Sequence, residues 1–437
     1  MGEIQHSLMF RFHSVVVFLL CSLCFSQVYL HVNLPSVLYK EISSSFNIKV
    51  DSLSAFSSAF FISYGILQLF SGYLLEKTKN CIVLGFSSLV ASYGAFICYS
   101  TKKHWVAVLG RVITAIGCSS IYIPIPRLFS KWFSHDSSSL IFVLFYSIGF
   151  SGGFIAQIPL ISYSNYTTWR NSYHKLSIIG ILIGFLIIFF VRDSPKDFGY
   201  EDQIDIVEKD ITGLKNHEET KSEMRNFYFV CANRNIILLS INIFITNGIF
   251  YNIVGLWGGP FIRDSSKYNE GYMLCSLSLS LIIGFISLPI ICSFLGSFKW
   301  MLIILNLISL IIEIVLIFLD SSFSFFILFC LFFIFGISVG SASNSLTSHI
   351  GENFVTSFQW ISFLSLFGGG ILQILTGVLF KKHGVIGKPY EHECYQKYLW
   401  LPSVLLNILA LIPLILIKDN IGNCVIDSSE NELKQNS

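Results

Sequence analysis

Apolar runs of roughly 18 residues or more recur along the whole sequence, separated by short polar breaks, and each is long enough as a helix to cross a bilayer. Backbone N–H and C=O groups cannot stay unpaired in lipid, so membrane-spanning segments must be helices or a closed barrel. Only 12% of the residues are charged and 53% are hydrophobic, whereas soluble domains carry about 25% charged residues. The sequence therefore predicts an all-α polytopic membrane protein embedded in the lipid bilayer.

The apolar runs predict twelve transmembrane helices, called spans 1 to 12 below. Spans 1 to 6 are expected at residues 10–34, 53–75, 81–100, 104–126, 138–163 and 173–191, and spans 7 to 12 at residues 236–258, 271–296, 300–319, 322–347, 355–380 and 398–417.

The stretch from Arg192 to Arg234 divides the spans into two sets of six. It contains 17 of the 54 Asp, Glu, Lys and Arg residues, and a segment so charged cannot bury a core of its own. We therefore expect an N-terminal six-helix bundle (1–191), a cytosolic linker (192–235), a C-terminal six-helix bundle (236–417) and a cytosolic tail (418–437). The N-x-S/T sequon at Asn165 falls on the side opposite the linker, which predicts glycosylation there.

The two halves share an internal pattern. Gly152, Gly153 and Gln157 of span 5 recur as Gly368, Gly369 and Gln373 of span 11, 216 positions later, and the same offset lays spans 1 and 2 over spans 7 and 8. Glycine pairs alone are common where membrane helices pack closely. Combined with the shared register, they predict two pseudo-symmetric bundles in which these glycines pack helices together, an architecture suited to alternating access.

Four further motifs resemble those of the major facilitator superfamily. Residues 72–77 resemble its G-x-L-x-D-R loop, with Gly72 kept and Glu76 in place of Asp; residues 110–117 resemble its R-x-x-x-G-x-G signature; residues 191–199 are similar to R-D-x-P-x-D-x-G; and residues 256–261 are like the L-W-x-G-P run of one branch. That branch includes microbial members of unassigned substrate and, more distantly, lysosomal dipeptide carriers. The resemblance covers nearly the whole chain and implies a secondary carrier in which spans 1, 4, 7 and 10 line a central cavity.

Arg111 of span 4 is the principal candidate for substrate binding. A cationic side chain in hydrocarbon costs at least about 2.5–3.5 kcal/mol, so it must face protein or a water-filled cavity. Its guanidinium is a fork that could grip a carboxylate or a phosphate. The alternative is an arginine that only pairs with a neighbouring helix, and Thr114 shares its face.

Further candidates lie on the other cavity-lining spans. Span 1 presents Gln27 and His31 on one face, and span 7 presents Asn247 and Tyr251. For each of them, hydrogen bonding between helices is the competing interpretation. Glu313 lies near the middle of span 9, which is peripheral in the family, and could be protonated, bonded to another helix or part of a proton path.

These features predict a secondary transporter of a small polar solute by uniport or proton coupling, with an organic anion or a zwitterion such as an amino acid or dipeptide favoured by Arg111. A non-transporting nutrient sensor with the carrier fold is the alternative, and a polytopic membrane enzyme is a weaker one. No cofactor, metal site or nucleic-acid partner is predicted, since residues 391–394 fit a solvated loop and no basic run occurs. We expect a monomer in the plasma membrane or in an endomembrane such as a lysosome-like or vacuolar compartment.

Overall fold

The computed structural model describes residues 8–49, 51–71, 78–133, 135–157, 168–200, 233–265, 270–318, 324–350, 354–383 and 390–417. Gly72, Glu76, Asn165 and most of the linker lie outside these residues.

The N-terminal half supplies spans 1 to 6. They are Leu8–Val37, Leu53–Gln68, Asn80–Ser100, His104–Ser119 continued by Pro124–Trp132, His135–Gln157 and Trp169–Phe190. A short helix, Tyr39–Phe46, follows span 1.

The C-terminal half supplies spans 7 to 12. They are Arg234–Asn252 continued to Ser265, Glu270–Leu295, Phe298–Phe318, Ser324–Ile350, Phe354–Phe380 and His392–Tyr395 continued to Leu416. The predicted twelve-helix fold in two six-helix bundles is confirmed. By length and composition, eight of the described helices could each cross a membrane, and three further apolar helices are shorter.

The distribution of side chains is that of a protein surrounded by lipid. Large apolar residues such as Phe86, Phe189 and Ile311 are exposed on the outside of the bundles, whereas polar residues such as Gln27 and Asn407 are buried between helices. Without water to drive apolar association, membrane helices pack through small residues and hydrogen bonds. The fold is therefore organised by its interior polar and small residues.

The packing repeats between the halves. Spans 1 and 5 pack together as do spans 7 and 11, spans 3 and 6 as do spans 9 and 12, and spans 2 and 4 as do spans 8 and 10. The halves meet where span 2 packs along span 11 and span 5 along span 8. Each of these two contacts is the pseudo-symmetric counterpart of the other.

In the described part of the chain, four spans depart from regular, uninterrupted α-helical hydrogen bonding. Span 1 contains Pro35, span 4 is interrupted between Ser119 and Pro124, and spans 7 and 12 contain π-helical segments at Ile253–Trp257 and Gln396–Trp400. Irregular backbone at membrane depth leaves polar groups that other helices, water or ligands must satisfy. Such segments often mark functional sites.

The start of the linker holds the N-terminal bundle together. The Asp193 carboxylate accepts hydrogen bonds from the backbone N–H groups of Asn80 (2.7 Å) and Cys81 (2.8 Å), at the beginning of span 3. A carboxylate there caps unpaired N–H groups and complements the helix dipole. The indole N–H of Trp132 donates to the carbonyl of Arg192 at 3.0 Å, so this motif ties together the ends of spans 3, 4 and 6.

Candidate functional site

Pro35 explains why a backbone carbonyl of span 1 is free to accept a hydrogen bond from Arg111. A proline has no N–H, so it cannot donate to the carbonyl of the residue four positions earlier in a helix. Pro35 lies within span 1, and the carbonyl that it leaves free is that of His31. Nη1 of Arg111 donates to this carbonyl at 2.9 Å. The guanidinium thus joins span 4 to span 1 at the carbonyl that the proline leaves free.

The rest of the Arg111 guanidinium makes no hydrogen bond of normal geometry. The side chain is 0% exposed, and its Nε and Nη2 atoms form no hydrogen bond. The rings of Phe60 and Phe56 lie beneath it, with their centroids 4.4 Å and 5.4 Å from Cζ. Among the described residues no carboxylate pairs with it. Cation–π contacts stabilise a desolvated cation by about 2 kcal/mol, less than removing it from water costs.

Two more unpaired polar groups lie near Arg111. Both ring nitrogens of His31 and the hydroxyl of Tyr173 are buried without hydrogen-bond partners. Both side chains lie close enough to Arg111 to interact with its charge, and the Tyr173 hydroxyl is within hydrogen-bonding reach of the guanidinium. We call Arg111, His31, Tyr173, Phe56 and Phe60 the Arg111 centre. It combines a fixed positive charge with unused donors on Nε, Nη2 and the Tyr173 hydroxyl, which is the chemistry that recognises an anionic oxygen.

A second group of polar side chains lies around the interface between the halves. These residues, the central tyrosines, come from spans 1, 2, 4, 5 and 7 and are Tyr29, Tyr64, Tyr122, Tyr146 and Tyr251. The hydroxyls of Tyr122 and Tyr146 are hydrogen-bonded. Those of Tyr29 and Tyr251 lie within hydrogen-bonding reach of each other, and Tyr64 lies near Tyr251. Only Tyr251 was singled out from the sequence. The interruption of span 4, which contains Tyr122, was not visible in its apolar pattern.

The structure brings Arg111 and His31 together but directs three other predicted site residues elsewhere. Gln27 donates to Ser92 and accepts from Ser88, both on span 3. Thr114 bonds the carbonyl of Gly110 in its own helix, and Asn247 donates to a serine of span 11 at 2.9 Å. In this structure these side chains are engaged in helix packing, so their role as substrate contacts stays a prediction.

The paired glycines lie at close contacts between helices. A Cβ at Gly152 would collide with the carbonyl oxygen of Ser26 on span 1, and a Cβ at Gly368 would collide with that of Phe244 on span 7. Gly153 and Gly369 face side-chain atoms instead, those of Asn33 and Tyr251. The glycine pairs thus occupy equivalent contacts, between spans 1 and 5 and between spans 7 and 11.

The glutamines of the same motif also contact neighbouring helices. Gln157 donates to Asn33 at 3.3 Å and accepts from Ser278 of span 8 at 2.9 Å, so it links the two halves. Its counterpart Gln373 donates to the backbone carbonyl of Tyr251 at 3.0 Å.

The two halves are joined at the ends of spans 1 and 7, on the side opposite the linker. The backbone N–H of Gly259 donates to the Ser36 hydroxyl at 2.9 Å. The Asp264 carboxylate accepts from Tyr395 at 2.7 Å and from Tyr39 at 3.4 Å. We call these residues the outer contact. Gly259 belongs to the L-W-x-G-P motif, and a Cβ there would collide with the Ser36 carbonyl, so the motif permits this close approach.

Glu313 lies away from the Arg111 centre, fully buried on the face of span 9 that packs against span 12. Among the described residues no group of three or more His, Cys, Asp or Glu side chains could hold a metal ion.

Most of the chain matches a known protein family in sequence. Residues 19–357 match the sequence profile of the Major Facilitator Superfamily. The chain is 25% identical to Protein spinster of Drosophila melanogaster over 53% of its own length and 36% of that relative. It is 26% identical to the Glycerol-3-phosphate transporter of Bacillus subtilis over 46% of its own length and 43% of that protein. The matches thus span less than half of either relative.

Solved structures share the fold. A bacterial homologue of the human lysosomal transporter Spinster, in an inward-facing and unoccupied conformation, superimposes with a TM-score of 0.71 over 93% of this chain and 97% of that one, at 14% identity. The nucleoside transporter NupG superimposes with a TM-score of 0.64 over 91% of this chain and 99% of its own, also at 14% identity.

Proposed function

Because this chain belongs to the Major Facilitator Superfamily, we propose that it is a secondary carrier that moves a small organic anion across a membrane by alternating access. The anion binds through a carboxylate or phosphate at the Arg111 centre.

The observation that carries this proposal is the unpaired part of the Arg111 guanidinium. Nη1 is used by the His31 carbonyl, while Nε and Nη2 have no partner and no carboxylate neutralises the charge within the described residues. An embedded cation needs a counter-charge in at least one state of a working cycle. An anionic solute would supply it, with Nε and Nη2 forming the two parallel bonds that arginine gives to carboxylates and phosphates.

The arrangement of the halves supports alternating access. Span pairs 2–11 and 5–8 form equivalent interfaces, along which one bundle can rock against the other. The outer contact joins the halves on the side opposite the linker. We infer that a solute reaches the Arg111 centre from the linker side and that the central tyrosines line its route.

The names of two relatives guide the choice of probes. One is the Glycerol-3-phosphate transporter of Bacillus subtilis, and the other is the Probable hexose phosphate transport protein of Chlamydia trachomatis, 22% identical over 50% of each chain. Both names describe organic phosphates, which an arginine fork accommodates as well as it does carboxylates.

The test is uptake into proteoliposomes that contain the purified protein. The probes are glycerol 3-phosphate, glucose 6-phosphate and a dipeptide, each paired with an analogue that lacks the negative charge: glycerol, glucose and the dipeptide amide. We expect uptake of at least one anion, little uptake of its neutral partner, and loss of most or all uptake in Arg111→Ala. A proton gradient imposed in either direction then separates proton coupling from uniport.

Arg127→Ala is the matched control. Arg127 lies near the linker-side end of span 4 and is partly exposed, so its loss removes an arginine from the same span without touching the Arg111 centre. Equal uptake of charged and neutral partners would contradict the proposed anion selectivity. Binding of an anion without uptake would instead indicate a sensor with the carrier fold.

We also propose that both termini and the linker face the cytosol and that Asn165 faces the exterior or an organelle lumen. The even number of spans and the position of the sequon support this orientation. The compartment is the plasma membrane or an endomembrane. Protease treatment of sealed vesicles with a tag at each terminus tests the topology, and cleavage of the two tags from opposite sides would contradict it.

A further inference from the structure

Span 9 carries a polar stripe in an otherwise apolar helix. Asn306, Ser309 and Glu313 follow one another at intervals of three and four residues, which places them on one helical face. All three side chains are buried, and Glu313 is 0% exposed. Span 12 packs against span 9 and contributes the buried Asn407. This group lies in the C-terminal bundle, on different helices from the Arg111 centre.

The hydrogen bonds within this group leave oxygen atoms unpaired. Nδ2 of Asn407 donates to the Ser309 hydroxyl at 2.9 Å, and that hydroxyl donates to the backbone carbonyl of Asn306 at 3.0 Å. Neither carboxylate oxygen of Glu313 accepts a hydrogen bond of normal geometry, and neither do the Oδ1 atoms of Asn306 and Asn407. The group therefore contains four buried acceptor atoms whose hydrogen bonding is incomplete.

No described cation lies beside Glu313: Lys299, on the same helix, is 14 residues away, about 21 Å at 1.5 Å per residue. Span 12 has no titratable side chain between Leu401 and Leu416, and the π-helical segment before it carries Lys397, whose ammonium group lies over the ring of Tyr398. The other helices packed against span 9 contribute, among their described side chains, Cys330 from span 10 and Tyr272, Cys275 and Cys292 from span 8. None of these titratable groups interacts with Glu313, whose one resolved side-chain contact is with Asn407, within hydrogen-bonding reach.

We propose that Glu313 and Asn407 form a proton-binding site between spans 9 and 12. An ionised carboxylate here would be desolvated with no counter-charge, at a penalty of several kcal/mol. A single proton removes the charge and turns one carboxyl oxygen into a donor for Oδ1 of Asn407, which satisfies two of the orphaned atoms together.

A metal cation fits the same atoms less well. Hard cations take six or more oxygen ligands. The Ser309 hydroxyl is already engaged, and Asn306 lies about 10 Å along the helix from Glu313 at 1.5 Å per residue. The free oxygens near Asn407 are then the two of Glu313 and its own Oδ1, which are too few.

The site is connected to span 7. Nδ2 of Asn242 on span 7 donates to the carbonyl of Ala410 at 3.0 Å, one turn along span 12 from Asn407. Span 7 in turn forms the outer contact with span 1. Release of the proton would place an unbalanced charge between spans 9 and 12, so the packing of the C-terminal bundle becomes pH-dependent. This proposal requires no particular solute.

The experiment is infrared difference spectroscopy of the purified protein as pH is varied, with no solute present. We expect the carbonyl-stretch band of a protonated carboxylic acid in the wild type, its loss in Glu313→Gln and its retention in Glu391→Gln, a control in the exposed loop before span 12. Asn407→Leu should shift the band, because it removes the acceptor of the O–H group. Identical spectra for the wild type and Glu313→Gln would overturn the proposal.

Thermal unfolding provides a second measurement. Glutamine resembles the neutral carboxyl, so the wild type should lose stability relative to Glu313→Gln as pH rises, and the two should converge in acid. Should Glu313→Gln fail to fold, a wild-type band that Asn407→Leu leaves unshifted would overturn the proposal. Stabilisation by sodium chloride but not by choline chloride, lost in Glu313→Gln, would also overturn it and assign a metal ion to the site.

Discussion

Arg111 has a structural partner and an unused binding capacity at the same time. Its Nη1 atom donates to the His31 carbonyl, which Pro35 leaves without a helical donor. Its Nε and Nη2 atoms form no hydrogen bond of normal geometry. Loss of transport in Arg111→Ala would therefore have two explanations, damage to span 1 or loss of the solute's counter-charge. Pro35 offers a way to separate them.

We predict that Pro35→Ala restores the stability of Arg111→Ala without restoring solute uptake. Removing the guanidinium orphans the His31 carbonyl, which costs about 1–3 kcal/mol. Alanine at position 35 has a backbone N–H that can donate to this carbonyl and complete the helix. Thermal unfolding and uptake of the single and double variants check this. Recovery of uptake in the double variant would make Arg111 a purely structural residue.

We predict that the contribution of Asp51 to the stability of the protein depends on pH. Its carboxyl precedes span 2, and burial raises its pKa above the usual range, a larger influence than the nearby Lys49 and Lys381 that lower it. A raised pKa in the folded state means that the contribution of this group to stability is present at low pH and is lost as pH rises through the folded pKa. Asp51→Asn should therefore unfold at a slightly higher temperature than the wild type at neutral pH.

The difference should vanish in acid, where Asp51 is protonated in both folded and unfolded chains. Glu391→Asn, in an exposed loop, is the control and should leave the unfolding temperature unchanged at both pH values. A lower unfolding temperature for Asp51→Asn at neutral pH would show that its ionised carboxylate is stabilising.

At the scale of helices, the two glycines of each pair should differ in how well they tolerate a larger side chain. Gly152→Ala and Gly368→Ala should each destabilise the protein, because the new Cβ would meet the carbonyl oxygens of Ser26 and Phe244. Gly153→Ala should be tolerated better, since its Cβ would meet the Asn33 amide at 3.0 Å, and a side chain can move. We expect a loss of about 1–3 kcal/mol for the first pair. Unfolding temperatures test the order, and a larger loss at Gly153 would contradict it.

The helices and their order could be predicted from the sequence because lipid demands long apolar runs, and those runs are visible without a structure. The 216-residue offset likewise identified glycines that occupy equivalent contacts. Gln27 and Thr114 show that the sequence does not reveal which neighbouring helix a given helical face contacts. Helical spacing fixes which residues share a face, but the rotation of the helix against its neighbours decides what that face meets, and here it meets span 3.

The Arg111 centre was only partly predictable for the same reason. The burial cost of a cation identified Arg111, and the spacing of Pro35 from His31 could have identified its acceptor, since a proline always frees a carbonyl four residues back. Tyr173, Phe56 and Phe60 come from spans 6 and 2 and carry no distinguishing local pattern. The assembly of the centre depends on how four separate helices pack.

For the whole molecule, the outer contact should control access from the side opposite the linker. Asp264 accepts from two tyrosine hydroxyls and the Tyr390 N–H. Asp264→Asn replaces one acceptor oxygen by an N–H donor and removes the charge, so the contact should weaken. We predict that labelling of Ser36→Cys by a membrane-impermeant maleimide, slow in the otherwise unchanged chain, becomes several-fold faster when Asp264→Asn is added.

Ser44→Cys, at an exposed position of the short helix after span 1, is the labelling control and should react at the same rate with and without Asp264→Asn. An unchanged rate at Ser36→Cys would show that Asp264 does not hold this side closed.

The central claim is that the Arg111 guanidinium binds the negative charge of the transported solute. The most direct measurement compares the affinities of the Pro35→Ala protein and the Pro35→Ala/Arg111→Ala protein for the best-transported anion of the panel and for its uncharged analogue. Pairing of the two groups predicts that removing Arg111 weakens binding of the anion strongly and binding of the neutral analogue little, so that the two losses do not add. Equal weakening of both, or of neither, would contradict the claim and leave Arg111 as a bond between spans 1 and 4.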